Sequence, residues 1–366
     1  MMSMIFRSAA ATFQYGRVIN PWLMLPPTFD RRHGGMAYNF YIPADSSVVR
    51  INKYGPGRDP PWVPDDNATV VGSSHGWLAL MNRRNNEVFL SNPITRRHIK
   101  LPPIDSLPNP ELNLRCAQAR VSKLILSASP DSKDCRAVAS FGPHDRLAFC
   151  RPGHSHEWAP VGQLFMDLDQ PRFKYAKSYQ DFVFSSKSKS NSTVLTCLTF
   201  SDLHSRGLED WDLTVLDSPK LVWIRAQNDE ARPDDPVSSV EEHLAYAEQT
   251  DEMFLVSRFF DEAERATFGF VVSRVVKEGG GWMSTLRCSL GDMALFVGTN
   301  HSFAIPNFNP NSIYFTDSKS HQGRGDVGIY HCAPQTFSNC YYPIPNNDII
   351  DIAAGPSPIW FTPTLT

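Results

Sequence analysis

The stretch from Val70 to Pro103, VVGSSHGWLALMNRRNNEVFLSNPITRRHIKLPP, decides the fold class of this 366-residue chain. Five apolar residues begin at Trp77, a turn of asparagine and arginine follows, and a second run rich in β-branched and aromatic residues begins at Val88. This order is typical of a strand, a hairpin turn and a second strand. The stretch therefore predicts a β-meander, in which the ring of Trp77 is buried between neighbouring sheets.

The segment Gly72–Gly76 also fits the Gly-x-Ser-x-Gly pattern of a hydrolase nucleophile elbow, with Ser74 at its centre. An elbow needs a helix directly after the serine, and a helix here would stop within two turns at the asparagine pair. We expect instead that both glycines take positive φ in a tight turn, and that Ser73, Ser74 and His75 bond backbone groups freed there. We interpret the match as accidental and predict no catalytic residue.

Short apolar runs recur along the whole chain, and 29 prolines and 21 glycines separate them. Some twenty such runs predict an all-β protein, with helix at most in Gly162–Gln170 and in the first twenty residues. The segments that begin at Trp77 and at Ser312 share one order of strands and turns, as successive blades of a propeller do. A repeat of roughly 40–50 residues predicts a single β-propeller of roughly six to eight irregular, kelch-like blades.

Bulk composition excludes several function classes. Lysine and arginine number 35 against 38 aspartate and glutamate, which lacks the basic excess of a nucleic-acid-binding domain. No apolar run approaches the roughly 18 residues that span a bilayer. The seven cysteines are scattered and form no C-x-x-C pair, which predicts free thiols in a reducing compartment such as the cytoplasm or nucleus.

Four segments together resemble a large plant family of F-box-associated domains, described as KIB-type β-propellers. They are PWLMLPP (Pro21–Pro27), the stretch quoted above, LGDMALFVGTNHSFAI (Leu290–Ile305), and the closing motifs NSIYFTD, DVGIYH and PIWFTPT. The resemblance spans Pro21 to Thr364, and we place the propeller domain at residues 21–366. It implies a structural role for the signature residues Gly72, Ser73, His75, Gly76, Trp77, Asn92, Pro93, Leu101, Pro102, Gly291, Asp292, Phe296, Gly298, Tyr314, Asp317, Trp360 and Phe361.

The resemblance also implies a non-enzymatic function without a cofactor. Many members of the family carry an F-box that docks on a ubiquitin-ligase adaptor, while the propeller presents a protein target. A complete F-box needs some forty residues, so we do not expect adaptor binding from the twenty residues that precede Pro21. FRSAAATF (Phe6–Phe13) is similar to the end of an F-box helix, whereas the acid-poor composition of residues 1–20 also fits a transit peptide for a mitochondrion or plastid.

Two further groups of residues offer binding sites. His144, His154 and His156 include an H-x-H pair, but glycine and proline flank them and no acidic or cysteine partner stands at a ligand spacing, so we predict solvated histidines and no metal site. A second group would place positive charge on one hairpin: Arg83, Arg84, Arg96, Arg97, His98 and Lys100. These residues would form a patch that binds an acidic partner, or they would keep the strand edges soluble.

The acidic segment Asn228–Glu252 carries nine acidic residues and one arginine, and we expect a solvated loop that leads into a hairpin.

Two function classes remain open. A protein-interaction propeller predicts no cluster of acid–base residues that points inward from several blades. A small-molecule binder or enzyme that uses the central channel predicts such a cluster. We find no repeated polar position in the sequence, and this favours the interaction propeller with a protein partner of unknown identity.

Overall fold

The structure is a computed structural model that describes residues 20–30, 35–52, 68–82, 85–107, 121–142, 145–162, 178–186, 193–200, 205–215, 218–228, 238–261, 266–276, 289–316, 326–340 and 358–364. Within these ranges the regular structure is 24 β-strands and one 3₁₀ turn, Ile104–Ser106. The all-β prediction is confirmed. The candidate helices fall on residues 1–19 and 163–170, which lie outside the described ranges.

Four of the five hydrogen-bonded sheets contain four strands each. The first contains β1 (Trp22–Asp30), β2 (Gly35–Ile42), β3 (Ser47–Asn52) and β24 (Ile359–Phe361). The second contains β4 (Ala68–Ser74), β5 (Trp77–Asn82), β6 (Val88–Asn92) and β7 (Arg97–Lys100). The third contains β8 (Val121–Leu126), β9 (Ala137–Phe141), β10 (Arg146–Cys150) and β11 (Ala159–Val161). The fourth contains β12 (Ser178–Ser186), β13 (Thr193–Phe200), β14 (Ser205–Asp212) and β15 (Lys220–Asn228).

The fifth sheet has eight strands and divides into two groups. One group is β16 (Ser238–Ala247), β17 (Glu252–Asp261) and β18 (Ala266–Val275). The other is β19 (Met293–Val297), β20 (Phe303–Pro306), β21 (Ser312–Thr316), β22 (Val327–His331) and β23 (Thr336–Ser338). A single parallel pair, Tyr246 with Phe303, joins the groups. Because the junction is this narrow, we treat the two groups as separate units, so the described strands form six units.

The six units follow the chain and close into a ring. Units 1 to 6 are β24 with β1–β3, β4–β7, β8–β11, β12–β15, β16–β18 and β19–β23. Contacts join β24 to β4, β4 to β8, β10 to β12, β12 to β16 and β16 to β20. Unit 6 returns to unit 1 through an apolar cluster that contains Phe296, Leu23 and Trp360. The ring agrees with the lower end of the predicted blade number.

The two ends of the described chain share one sheet. β24 pairs antiparallel with β1, with Leu23 opposite Trp360, and the Trp360 and Phe361 side chains are fully buried. Apolar clusters lie between adjacent units rather than within one, as in the group that places Trp77 of unit 2 against Leu124 of unit 3. The predicted burial of Trp77 between sheets is confirmed.

Side chains of other units bond the amides of the strands that face the ring axis. An edge strand leaves backbone N–H groups without a ladder partner, and burial makes each unpaired group costly. Here such amides donate across units, from Leu126 N to Ser74 Oγ at 3.1 Å, from Leu244 N to Asp181 Oδ2 at 2.8 Å and from Phe184 N to His301 Nε2 at 3.2 Å. We call these three bonds the inter-unit bridges.

Candidate functional site

The Gly72–Gly76 segment is a hairpin at the inner end of unit 2. Ser74 pairs with Trp77, and the two residues between them, His75 and Gly76, have φ of 49° and 79°. Positive φ at both central positions gives the twist that suits a two-residue hairpin. A strand therefore follows Ser74 where an elbow would need a helix, and the predicted order of strand, turn and strand is confirmed.

The prediction of positive φ was right for Gly76 and wrong for Gly72. Gly72 lies in β4 outside the left-handed region, and a Cβ there would come within 1.8 Å of the Leu124 carbonyl oxygen of unit 3. The absent side chain allows two inner strands to approach each other. At Gly76 a Cβ would come within 2.1 Å of Thr364 Oγ1. A glycine is therefore required there both by the lack of room for a side chain and by the positive φ.

Polar groups of this hairpin, backbone carbonyls included, bond other units rather than their own turn. Ser74 Oγ forms an inter-unit bridge to unit 3, and the Ser73 carbonyl accepts a hydrogen bond from His301 N at 2.9 Å. Thr364 Oγ1 donates to the His75 carbonyl at 3.0 Å. The expected local turn bonding was wrong for Ser74, because the sheet edge of unit 3 supplies an amide that has no partner in its own sheet.

The other signature residues of unit 2 form turns and core contacts. Asn92 Oδ1 accepts hydrogen bonds from Ile94 N and Thr95 N, which closes the turn that contains Pro93. Leu101 is buried in the core between units 2 and 3. The Pro102 carbonyl accepts a hydrogen bond from Trp158 Nε1 at 3.0 Å.

Three aromatic signature residues near the C-terminus, Phe296, Tyr314 and Trp360, build the junction between units 6 and 1. Phe296 stacks on Tyr314 with ring centroids 4.6 Å apart, and Trp360 packs edge-on against Phe296 at 5.1 Å. Phe361 packs against Phe40 of β2 at 5.0 Å. Gly291 has a φ of 65°, and the Asp292 carbonyl accepts a hydrogen bond from Asn307 N. A Cβ at Gly298 would overlap Thr316 Oγ1. Asp317 lies outside the described residues.

A chain of buried charged residues converges from several units. Lys123 of β8 bonds Asp181 of β12, and the His243 ring of β16 lies 3.7 Å from Asp181 Oδ2 and 3.5 Å from Glu241 Oε2. Arg258 of β17 continues the chain to Glu241 at 2.9 Å. The prediction that no polar residues converge from several units was therefore wrong. No spacing in the sequence marks these positions, because their relation depends on ring closure.

The charge states of this chain follow from its contacts. Burial opposes ionisation of Asp181, but Lys123 and His243 outweigh it and lower the pKa of the carboxyl. Burial likewise opposes a charge on His243, while hydrogen bonds to Asp181 and Glu241 outweigh it and raise the pKa of the imidazole. Asp181 Oδ1 also accepts Phe182 N, and Oδ2 is used in an inter-unit bridge. These groups join strands, and both carboxylate oxygens of Asp181 already accept backbone hydrogen bonds.

A cavity of about 260 Å³ lies where all six units meet. Because every unit of the ring contributes, the cavity lies on the ring axis, and we call it the axial pocket. Every unit contributes to its wall, and the examples from units 1 to 6, in that order, are Trp360, His75, Ala128, Phe184, Tyr246 and His301. The sequence predicted structural roles for His75 and Trp360, whereas no motif marked the other four residues.

Two histidines from units 2 and 6 meet in this wall. The rings of His75 and His301 lie with centroids 5.9 Å apart. Burial, with His75 and Lys123 nearby, lowers the pKa of His301 to about 3. Burial also lowers the pKa of His75, against the opposing effect of the Glu248 carboxylate. Both rings are therefore neutral at pH 7, where they act as hydrogen-bond acceptors at one nitrogen.

The other candidates of the sequence analysis lie away from this pocket. His154 and His156 lie in turns, and the His154 ring contacts the Pro152 carbonyl at 2.9 Å. Within the described ranges no group of three or more His, Cys, Asp or Glu residues is arranged to hold a metal ion. His144 lies outside these ranges.

Two basic residues of unit 2 have carboxylate partners within the chain. Arg97 bonds Asp131 at 2.6 Å and Lys100 bonds Glu87, both on the outer strand β7 or beside it. This supports the interpretation that the charges solubilise a strand edge. Arg83 and Arg84 lie outside the described residues, as do residues 229–237 of the acidic segment, which continues into the predicted hairpin of β16 and β17.

Five of the seven cysteines lie in the described residues, and all five are free and buried: Cys135, Cys150, Cys197, Cys332 and Cys340. Burial raises the pKa of Cys135 and of Cys332 to about 11. The prediction of free thiols is confirmed for these five. Among the described residues no helix is long and apolar enough to span a membrane.

Comparison with solved structures finds distant likenesses. AofleA from Arthrobotrys oligospora is 14% identical over 96% of this chain and 92% of its own, with a TM-score of 0.35. A protein from Lactobacillus plantarum is 10% identical over 94% and 99%, with a TM-score of 0.36. Hsv2 of Kluyveromyces lactis is 10% identical over 85% and 91%, with a TM-score of 0.33. At this level of similarity none of them bears on function.

No curated protein matches the chain. A family model does match, that of the KIB1-4 beta-propeller, over residues 53–331. The match covers the signature hairpin of unit 2 and continues to the end of β22, and it agrees with the ring of six units described above. The chain belongs to the KIB1-4 beta-propeller family.

Proposed function

We propose that this chain is a non-enzymatic protein-interaction propeller that holds a segment of a protein partner in the axial pocket. The observation that carries the proposal is the contribution of all six units to one pocket. A site of this kind is built when the ring closes, and its polar wall atoms are placed by rigid strands. The role corresponds to that of a substrate-receptor domain of an F-box protein, the class to which the sequence is similar.

The size of the pocket favours a side chain over a larger ligand. Sites for drug-sized molecules commonly measure roughly 300–1,000 Å³. The axial pocket, at about 260 Å³, lies below that range. One side chain of a bound segment would occupy it, while the rest of the segment would contact the mouth of the ring.

The state of the buried charged residues disfavours catalysis. A general acid or base must reach the proton that it transfers. Asp181 is 2% exposed and both of its carboxylate oxygens already accept hydrogen bonds. His301 accepts the Phe184 amide, so its ring nitrogen is likewise engaged. The convergent polar residues thus support a structural role.

The proposal is tested by filling the pocket. We expect Ala128→Trp to place an indole in the pocket, because Ala128 lies partly exposed in its wall. Ala333→Trp makes the same change at an exposed turn between β22 and β23, away from the pocket, and serves as the control. A random peptide library displayed on phage is selected on the purified full chain, and the enriched peptides are measured against both variants by fluorescence polarisation.

We expect enriched peptides to lose at least tenfold in affinity, about 1.4 kcal/mol, on Ala128→Trp and to keep it on Ala333→Trp. Circular dichroism checks that both variants are folded. Equal binding to both variants would place the binding surface elsewhere and would overturn the proposal. Failure of the library to yield any enriched peptide would also count against it.

A further inference from the structure

The mouth of the axial pocket carries negative charge. Asp134 of unit 3 and Glu248 of unit 5 contribute to its lining, and both are exposed. Among the residues that the structure describes, the lining includes neither lysine nor arginine. Since the two histidines in the wall are neutral at pH 7, the charge that an entering group meets is negative. A concave site lined by one sign of charge attracts ligands of the opposite sign.

Two cations close to lining residues, Lys123 and Arg136, are bound within the chain. Lys123 donates to Asp181 at 2.5 Å. Arg136, which follows the loop that contains Asp134, donates to the Leu213 carbonyl at 3.0 Å and to the Thr214 carbonyl at 2.7 Å. These contacts turn the two cations toward the protein and leave the carboxylates at the mouth to act on the ligand.

A buried acceptor in the wall remains without a donor. His75 Nε2 is buried and has no hydrogen-bond partner among the described residues, while its ring also bonds the Leu126 backbone. A neutral imidazole that donates from one nitrogen presents the other as an acceptor. Buried polar atoms of this kind are normally satisfied. A ligand that brings an N–H donor would meet this requirement.

Four aromatic residues also line the pocket. Phe184, Tyr246, Phe303 and Trp360 come from units 4, 5, 6 and 1. The faces of aromatic rings attract cations, and the attraction increases as water is excluded. An acidic mouth, a free acceptor and aromatic walls together match a group that is positively charged, rich in N–H donors and able to pack on rings.

This inference rests on the proposed function and adds the chemical class of the bound group. We propose that the axial pocket binds one cationic side chain, an arginine or a lysine, presented by the segment of the partner. Arginine fits best, because its planar guanidinium stacks on aromatic rings and carries five donors. The carboxylates of Asp134 and Glu248 attract the charge, and the His75 ring accepts a hydrogen bond from it.

The probes for the test are n-butylguanidinium and n-butylurea, which share a shape and differ in charge. Both are titrated to about 20 mM against the full chain by saturation-transfer difference NMR, a method suited to millimolar binding. The variant Asp134→Asn/Glu248→Gln removes both carboxylates from the mouth. The control Asp45→Asn/Glu157→Gln makes the same change in net charge at exposed positions outside the pocket. Ala128→Trp serves as the blocked pocket.

We expect n-butylguanidinium to bind at least fivefold more tightly than n-butylurea, and Ala128→Trp to abolish binding of both. Asp134→Asn/Glu248→Gln should weaken the cation about fivefold and leave the urea unchanged, whereas the control pair should change neither. The preference for the cation should fall between low and high salt, because exposed charges are screened.

Two results would overturn the inference. One is equal binding of the two probes, and the other is no binding of the cation up to the highest concentration. The peptide selection separates these failures from failure of the proposed function. Enriched peptides that depend on the pocket, but retain affinity when each arginine and lysine is replaced by glutamine, would leave an interaction propeller with a pocket of different chemistry.

Discussion

Single positions in the inner strands are set by contacts with the next unit. Gly72 is the clearest case, because its backbone conformation is open to other residues while its Cα faces the Leu124 carbonyl of unit 3. The sequence predicted a conformational role for Gly72, since a glycine beside a turn commonly supplies positive φ. Gly72 is needed instead because β4 and β8, which lie some fifty residues apart in the chain, approach each other closely at this position.

We predict that Gly72→Ala lowers the free energy of unfolding by about 2–4 kcal/mol, because the new methyl group would overlap a backbone oxygen that cannot move without its strand. Gly269→Ala is the matched control, since no atom lies within 4 Å of a Cβ at Gly269. That change should be neutral or stabilise by up to about 1 kcal/mol. Urea unfolding measures both, and equal effects would contradict the close approach.

The buried histidines give the molecule a pH dependence of known sign. The pKa of His301 falls from 6.5 to about 3 on folding. Between these values the unfolded chain binds a proton that the folded chain does not, so stability is present above pH 6.5 and declines as the pH falls toward 3. The pKa of His243 is raised, so its contribution is present below pH 6.5 and is lost as the pH rises.

We therefore expect His301→Gln to reduce the loss of stability between pH 7 and pH 5, and His243→Gln to increase it. One proton changes the slope by at most about 1.4 kcal/mol per pH unit. Urea unfolding across this range measures the slopes, with His156→Gln, at an exposed turn, as the control. Slopes of the two buried variants that shift in the same direction would contradict the assignment.

At the scale of the element, the inner strands depend on side chains that other units supply. The inter-unit bridges satisfy one amide each of β8, β12 and β16. A buried N–H that loses its partner costs the full desolvation of the group. The serine, aspartate and histidine that accept these bonds thus have a structural requirement of their own, separate from any ligand.

We predict that Ser74→Ala destabilises the chain by about 1–3 kcal/mol, because the Leu126 amide would lose its acceptor. Ser218→Ala, at an exposed turn before β15, should change stability by less than about 0.5 kcal/mol. Thermal unfolding compares the two, and hydrogen exchange at Leu126 reports the bond directly. Unchanged protection of that amide in Ser74→Ala would show that the bridge does not form.

At the scale of the whole molecule, the ring is held closed by the last described strand. β24 adds three residues to the sheet of β1, and Trp360 lies between that sheet and unit 6. The short strand brings a large, fully buried aromatic side chain to the junction. Closure therefore depends on packing more than on the few hydrogen bonds of β24.

We expect Trp360→Ala to lower the free energy of unfolding by about 3–5 kcal/mol, since it leaves a large cavity at the junction. Phe268→Ala removes an aromatic ring that is 56% exposed and should cost less than about 1 kcal/mol. The midpoint of urea unfolding measures both. A loss for Trp360→Ala no greater than that of Phe268→Ala would mean that the junction does not hold the ring closed.

Local properties of the chain could be predicted from the sequence because their causes lie within a few residues. The alternation of apolar runs with turns predicted the strands, and the hairpin around His75 and Gly76 followed from its glycine and the short polar turn. The matching motifs identified the family, and the scattered cysteines predicted free thiols. In each case neighbouring residues carry the signal.

The tertiary structure alone decided the axial pocket and the bonds around it. His75, Phe184, Tyr246 and His301 are separated by dozens of residues, and they meet because the first and last strands close one ring. Lys123, Asp181 and His243 meet for the same reason. The positions that face the axis follow from strand twist, register and unit number, which are properties of the closed ring rather than of any segment.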